Sequence, residues 1–179
     1  LEIDPEAARA VAARVLSSPT QADEWAISLR NHAKARPNST SSEFLRAKTE
    51  ELIQHPDWYQ NPSVGYFEAF DVLVYAGATE STGLLSDLVS NQSAEGRPHA
   101  HASFLTLDRL VTNEPVAMME QLLQQPELPK SRGKMMANMF ARADLRDADQ
   151  RTLVKQYLLD PSRTQEELRA FSGIYPNNN

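Results

Sequence analysis

Metal binding and proton transfer need side chains of matched chemistry at matched spacing, and this sequence offers few such sets. His99 and His101 stand two residues apart. On a helix that spacing turns the rings about 200° from one another, whereas chelation from one face needs a separation of three or four. We therefore expect exposed histidines in a loop or at a helix start and no metal site. Asp71 and Asp108 occupy equivalent places in two similar segments, thirty-seven residues apart. Two carboxylates act as an acid and base when a cleft raises one pKa. On neighbouring stacked helices, about 10 Å apart, each is instead expected to bond an adjacent helix or loop. The chain has no cysteine, which removes thiolate nucleophiles, disulfides and cysteine-built zinc sites. Its six glycines form neither a Gly-x-Ser-x-Gly elbow nor a phosphate loop. No catalytic residue and no cofactor is assigned.

Two further clusters have more to do with surfaces and packing. Met118, Met119, Met135, Met136 and Met139 fall within twenty-two residues; adaptable thioethers can line a binding surface, but at helical spacing they are expected to fill a core. Lys130, Arg132 and Lys134 gather at a helix start with Glu127 opposing them, which reads as a solvated end. Charge is unevenly spread. Residues 61–125 carry 2 basic and 8 acidic side chains, the whole of the net −6, while 1–60 carry 7 and 9 and 126–179 carry 9 and 7. An acidic middle repels phosphate, so no nucleic-acid groove is expected there. The apolar runs are too short for a transmembrane helix. Absence of cysteine tilts compartment slightly towards the extracytoplasmic side. Asn38-Ser39-Thr40 and Asn91-Gln92-Ser93 match the glycosylation acceptor pattern, a pattern that also arises by chance. Leu1 is not an initiator methionine, and the segment is expected to belong to a longer or processed chain.

Helices must position all of these residues. The eleven prolines fall where periodic segments begin or end, which punctuates an all-α chain. Asp4-Pro5 opens a helix with Ala8, Val11, Ala12, Val15 and Leu16 on one face, and Thr20 precedes one with Trp25, Ala26 and Leu29. A solvated loop is expected from Arg36 to Ser42, with Ser42 capping the third helix. Trp58-Tyr59 reads as a link after His55-Pro56. Val64, Phe67, Phe70, Leu73 and Val74 then face one way and Gly77 stops the helix. Thr79 starts a partner with Leu84, Leu85, Leu88 and Val89. Further pairs follow, opened by Pro115 and by the cap Asp147, and a short last helix is expected to stop at Gly173.

Phe67, Phe70, Asp71, Leu73 and Val74 recur as Phe104, Leu107, Asp108, Leu110 and Val111, and Met136, Met139 and Ala143 make a third, weaker copy of the apolar positions. Paired helices repeating at 31 to 37 residues, with openings such as Asp4-Pro5-Glu6-Ala7-Ala8-Arg9, resemble the HEAT-type α-solenoid family over about residues 62–160. The Asp-x-x-Val-Arg segment of well-formed HEAT units is missing from all three copies. The resemblance implies an all-α solenoid of nine or ten helices in antiparallel pairs, one helical repeat domain over 1–179, serving as a protein or peptide interaction module. In the second helix of each pair Asp87, Glu120 with Gln124, and Arg151 with Lys155 take corresponding turns; in a solenoid these line one partner-binding surface. The alternatives are an accessory or catalytic helical domain using Asp71, Asp108, His99 or His101, and a HEAT-like nucleic-acid binder. The latter requires a continuous basic face from Lys130, Arg132, Lys134, Arg142 and Arg146.

Overall fold

A computed structural model describes residues 5–18, 20–34, 39–91, 93–125 and 127–175. Expectations for Asp4, for the loop at 35–38 with its Asn38 triplet and for Gln92 fall outside these residues. Every regular element among the described residues is helical. The chain divides into two compact units, Leu1–Ser81 and Thr82–Asn179. That division falls inside the first of the three expected repeats, between its two helices.

The first unit holds α1 (Pro5–Val15), α2 (Ala22–Lys34), α3 (Ser39–Gln54), α4 (Pro56–Gln60), α5 (Val64–Glu68), α6 (Phe70–Ala76) and a 3₁₀ turn at Thr79–Ser81. Helix α2 is its centre, packed against α1, α3, α5 and α6. Its period of three and four turns Trp25, Ala26, Leu29 and Ala33 inward, all buried. Trp25 donates from Nε1 to the Ser18 carbonyl at 3.0 Å, meets the Trp58 ring edge-on at 5.3 Å and carries the Lys48 ammonium 5.2 Å from its ring. Tyr66, fully buried, donates its hydroxyl to the Ile53 carbonyl at 2.8 Å. That bond satisfies an orphan carbonyl in the last turn of α3, and burial pushes the phenol well above its ordinary pKa.

Several boundaries differ from the sequence reading. Helix α3 starts at Ser39, three residues before the expected cap, and Trp58-Tyr59 lie within the five-residue helix α4. Helices α5 and α6 are parted only at Ala69, itself in the right-handed helical region (φ −63, ψ −24), so they run almost as one helix. These two features account for twelve α-helical segments among the described residues where nine or ten were expected. Gly77 does stop α6, in the left-handed conformation at φ 61 that a side chain would strain. Val11 and Val64, expected to face inward, are 54% and 76% exposed.

The second unit holds α7 (Thr82–Ser90), α8 (Arg97–Asn113), α9 (Pro115–Leu123), α10 (Leu128–Ala141), α11 (Ala148–Leu159) and α12 (Gln165–Ile174). Helix α7 packs on α8, α9 and α10, helix α9 on α8, α10 and α11, and helix α10 on α11 and α12. Asp147 caps α11 as expected, accepting from the Asp149 and Gln150 amides at 2.9 and 2.8 Å. Gly173 does not end α12, which runs on to Ile174 and begins with a Thr164–Glu167 capping box.

Beneath α12 lies an ionic core. Arg163 and Glu167 have side chains only 5% and 3% exposed and meet at 3.3 Å. The guanidinium also bonds Asp160, and lies 4.8 Å from the centre of the Tyr157 ring, which stacks on Phe140 at 4.5 Å. A Cβ on Gly133 of α10 would stand 2.5 Å from Glu167 Cγ, so the close approach of α10 to this carboxylate depends on that glycine. Removing one member of a buried pair strands the other charge at a cost of about 3–5 kcal/mol. Arg163→Met is expected to lower unfolding free energy by that amount in urea titrations, and the double variant Arg163→Met/Glu167→Gln to recover part of it. Hydrogen bonds from Ser162 and Arg163 hold the Asp160 carboxyl at about 2, below the unfolded value of about 3.9. Its stabilisation is therefore complete above the unfolded pKa and is lost as pH falls towards 2. Asp160→Asn should flatten the acid limb of a stability–pH curve across that window and leave the limb above pH 6 unchanged.

Candidate interaction surface

Asp87, Glu120, Gln124, Arg151 and Lys155 are all exposed. Their positions follow from which residues the helices bury. In α7, Leu85, Leu88 and Val89 point inward, and in α9, Met118, Met119 and Leu122 do; at 100° per residue Asp87 and Glu120 are left on the outer faces. In α11, Leu153, Val154 and Tyr157 are buried, which turns Arg151 and Lys155 outward. Helix α9 packs on both α7 and α11, so the three helices bearing these residues are neighbours. Asp87, Glu120 and Lys155 have no side-chain hydrogen bond or ion pair among the described residues. Arg151 differs: it donates to the Leu145 carbonyl at 2.7 Å and so pins the turn before α11. That bond bridges a loop and a helix, which periodicity within α11 does not reveal.

The other candidates are used internally. His99 and His101 lie on α8. His101 is exposed, but His99 is 1% exposed, contrary to expectation, with Nδ1 3.2 Å from the Glu95 carbonyl oxygen. The helix begins at Arg97, so His99 falls in a first turn that faces the core. No three His, Asp or Glu side chains among the described residues are placed to hold a metal ion. Asp108 pairs with Arg142, the residue that follows α10, a structural use, and Asp71 is half-buried on α6 in the first unit. Met118, Met119, Met136 and Met139 are at most 1% exposed and fill the core, leaving Met135 half-buried. The five residues of the expected basic face are each engaged. Lys130 pairs with Glu127 at 2.6 Å and Lys134 with Glu166 at 2.7 Å. Arg132 donates to the Val89 carbonyl at 3.0 Å, Arg142 bonds Asp108, and Arg146 bonds Asp144 at 2.8 Å.

Among the described residues, clefts indent each of the two units. One of about 460 Å³ opens where α10 departs from helical geometry at Arg132 (φ −141, ψ 37), between Lys130, Lys134, Met135 and the capping box of α12. Its lysines and carboxylates are paired, and Arg132 is held by the Val89 carbonyl. A second, of about 350 Å³, has an apolar floor of Val111, Met119 and Met139 and a polar rim of Arg142, Asp144 and Gln150. The third, of about 320 Å³, lies in the first unit between Glu43, Arg46, Gly77 and Glu80, beside a Glu50 that accepts from Arg46 at 3.1 Å and from Ser81 at 2.7 Å.

One pairing of chemical interest had no sequence signature. His32 Nε2 lies 3.0 Å from Ser41 Oγ, the distance at which a histidine base activates a serine nucleophile. His32 is 9% exposed and its ring packs on Phe44 at 5.2 Å, and neither residue lines one of these clefts. The bond ties the last turn of α2 to the first turns of α3. Ser41→Ala is accordingly expected to cost about 1 kcal/mol of stability, read from thermal unfolding, while intact protein treated with a fluorophosphonate shows no adduct at Ser41 by mass spectrometry. Comparison of the chain with protein-family models, with curated proteins and with solved structures finds no match.

Proposed function

We propose that the chain is a protein- or peptide-interaction module on a HEAT-like scaffold, in which the outer faces of α7, α9 and α11 receive an extended segment of a partner. The observation that carries this reading is the row itself. Three helices in successive contact expose Asp87, Glu120, Gln124 and Lys155, while the charged side chains of the α10–α12 contact are spent on one another. A helical stack offers a long polar face of this kind because each helix must direct its apolar stripe to the neighbours. Recurrence of the buried positions also favours a repeat scaffold: Phe70 and Leu73 in one copy and Leu107 and Leu110 in the next are all at most 1% exposed.

Selection from a displayed library of random linear peptides tests the reading. Immobilised wild-type protein should retain a family of related sequences, and the variant Glu120→Ala/Lys155→Ala should retain them at least about tenfold less well. Because both side chains are exposed and lack internal partners, its unfolding free energy should stay within about 0.5 kcal/mol of wild type. Equal retention by the double variant removes the proposed surface.

A further inference from the structure

The row has a direction of charge. We infer that its partner segment is an extended peptide of mixed charge, basic where it crosses α7 and α9 and acidic where it crosses α11. The inference rests on the interaction-module reading and adds to it the chemistry of the occupant. Asp87 and Glu120 are each the sixth residue of a nine-residue helix, counted from Thr82 and from Pro115, so they occupy the same turn of two helices that touch. Lys155 is the eighth residue of α11, counted from Ala148, and α11 packs on α9. The free charges are thus two unmatched carboxylates on touching helices and an unmatched ammonium on the helix packed against the second, and Gln124 at the end of α9 adds an uncharged donor and acceptor.

Absence of internal partners is what gives this pattern its consequence. A charge already paired within the protein, such as Lys134 with Glu166, must give up one contact to make another. Asp87, Glu120 and Lys155 have none to give up. In the stacked arrangement of that reading packed helix axes lie about 8–10 Å apart, so from α7 to α11 the row spans about 18 Å. An extended chain rises about 3.3 Å per residue, so the basic and acidic side chains of the partner stand about five or six residues apart. A uniformly basic or uniformly acidic segment meets repulsion at one end.

The test uses three fluorescein-labelled, end-blocked peptides of Ala, Ser and Leu, identical except at two positions six residues apart. One carries Lys and Glu there, one Lys at both, one Glu at both. Fluorescence polarisation at low salt should show the mixed peptide binding wild-type protein about tenfold more tightly than the Glu/Glu peptide, a gap that narrows at about 0.5 M salt as the charges are screened. Lys155→Glu, which replaces the unmatched ammonium of the row by a carboxylate, should transfer the preference to the Lys/Lys peptide without moving the thermal midpoint. If the three peptides bind alike, or Lys155→Glu leaves their order unchanged, the charge pattern is overturned while peptide binding stands. If none binds and display also recovers nothing, the interaction-module reading falls with it.

Discussion

A helix of nine residues is not stable by itself in water, because nucleation costs more than so few hydrogen bonds return. Helices α7 and α9 have that length, and both persist by burying a stripe against their neighbours. Each must therefore spend its leucines, methionines and valines inward: Leu85, Leu88 and Val89 from α7, Met118, Met119 and Leu122 from α9. What remains for solvent is short and polar. The surface row is thus a by-product of the packing constraint, and any use made of it exploits positions whose orientation the core has already settled.

Charge in the second unit is organised on the same principle. Close packing of α10 on α12 brings Lys134 to Glu166 and closes Arg163 between Asp160 and Glu167, over the stacked rings of Phe140 and Tyr157. The burial of Arg163 is tolerable because its planar group faces an aromatic ring on one side and carboxylates at its edge, so that loss of hydration is offset by several contacts at once. Gly133 permits the approach by leaving the space that Glu167 occupies. No such matching occurs along the outer faces of α7 and α9, and the net charge of −6 is accordingly felt there.

Much of the fold was legible because two kinds of punctuation agreed. Prolines marked helix starts, as at Pro5 and Pro115, and the three-and-four spacing marked the buried faces, as with Trp25 and Leu29 or Leu107 and Leu110. The left-handed Gly77 and the cap Asp147 also followed from residue type. Where the reading slipped, the cause is local. Helix α4 has five residues, less than two turns, too few to display a period. The start of α3 is a run of Ser and Thr that reads equally well as loop. The recurring Phe67 and Phe104 drew attention by type, yet both are half-buried, and the deeper positions are Phe70 and Leu107. The candidate row was legible as far as exposure. The bond from Arg151 to the Leu145 carbonyl and the contact of His32 with Ser41 depend on how turns and neighbouring helices are placed, which one-dimensional spacing does not encode.

The edge-to-face pair of Trp25 and Trp58 has a spectroscopic corollary. These are the only two indoles in the chain, and both belong to residues 1–81. Emission excited at the red edge of the absorption band therefore originates from residues 1–81, and after Ser81 tyrosines are the sole fluorophores beside phenylalanine. Far-ultraviolet dichroism, by contrast, weighs every helix alike. Transitions followed by the two signals superimpose only when both units melt together, so the uneven placement of one residue type makes the cooperativity of the molecule measurable without labels.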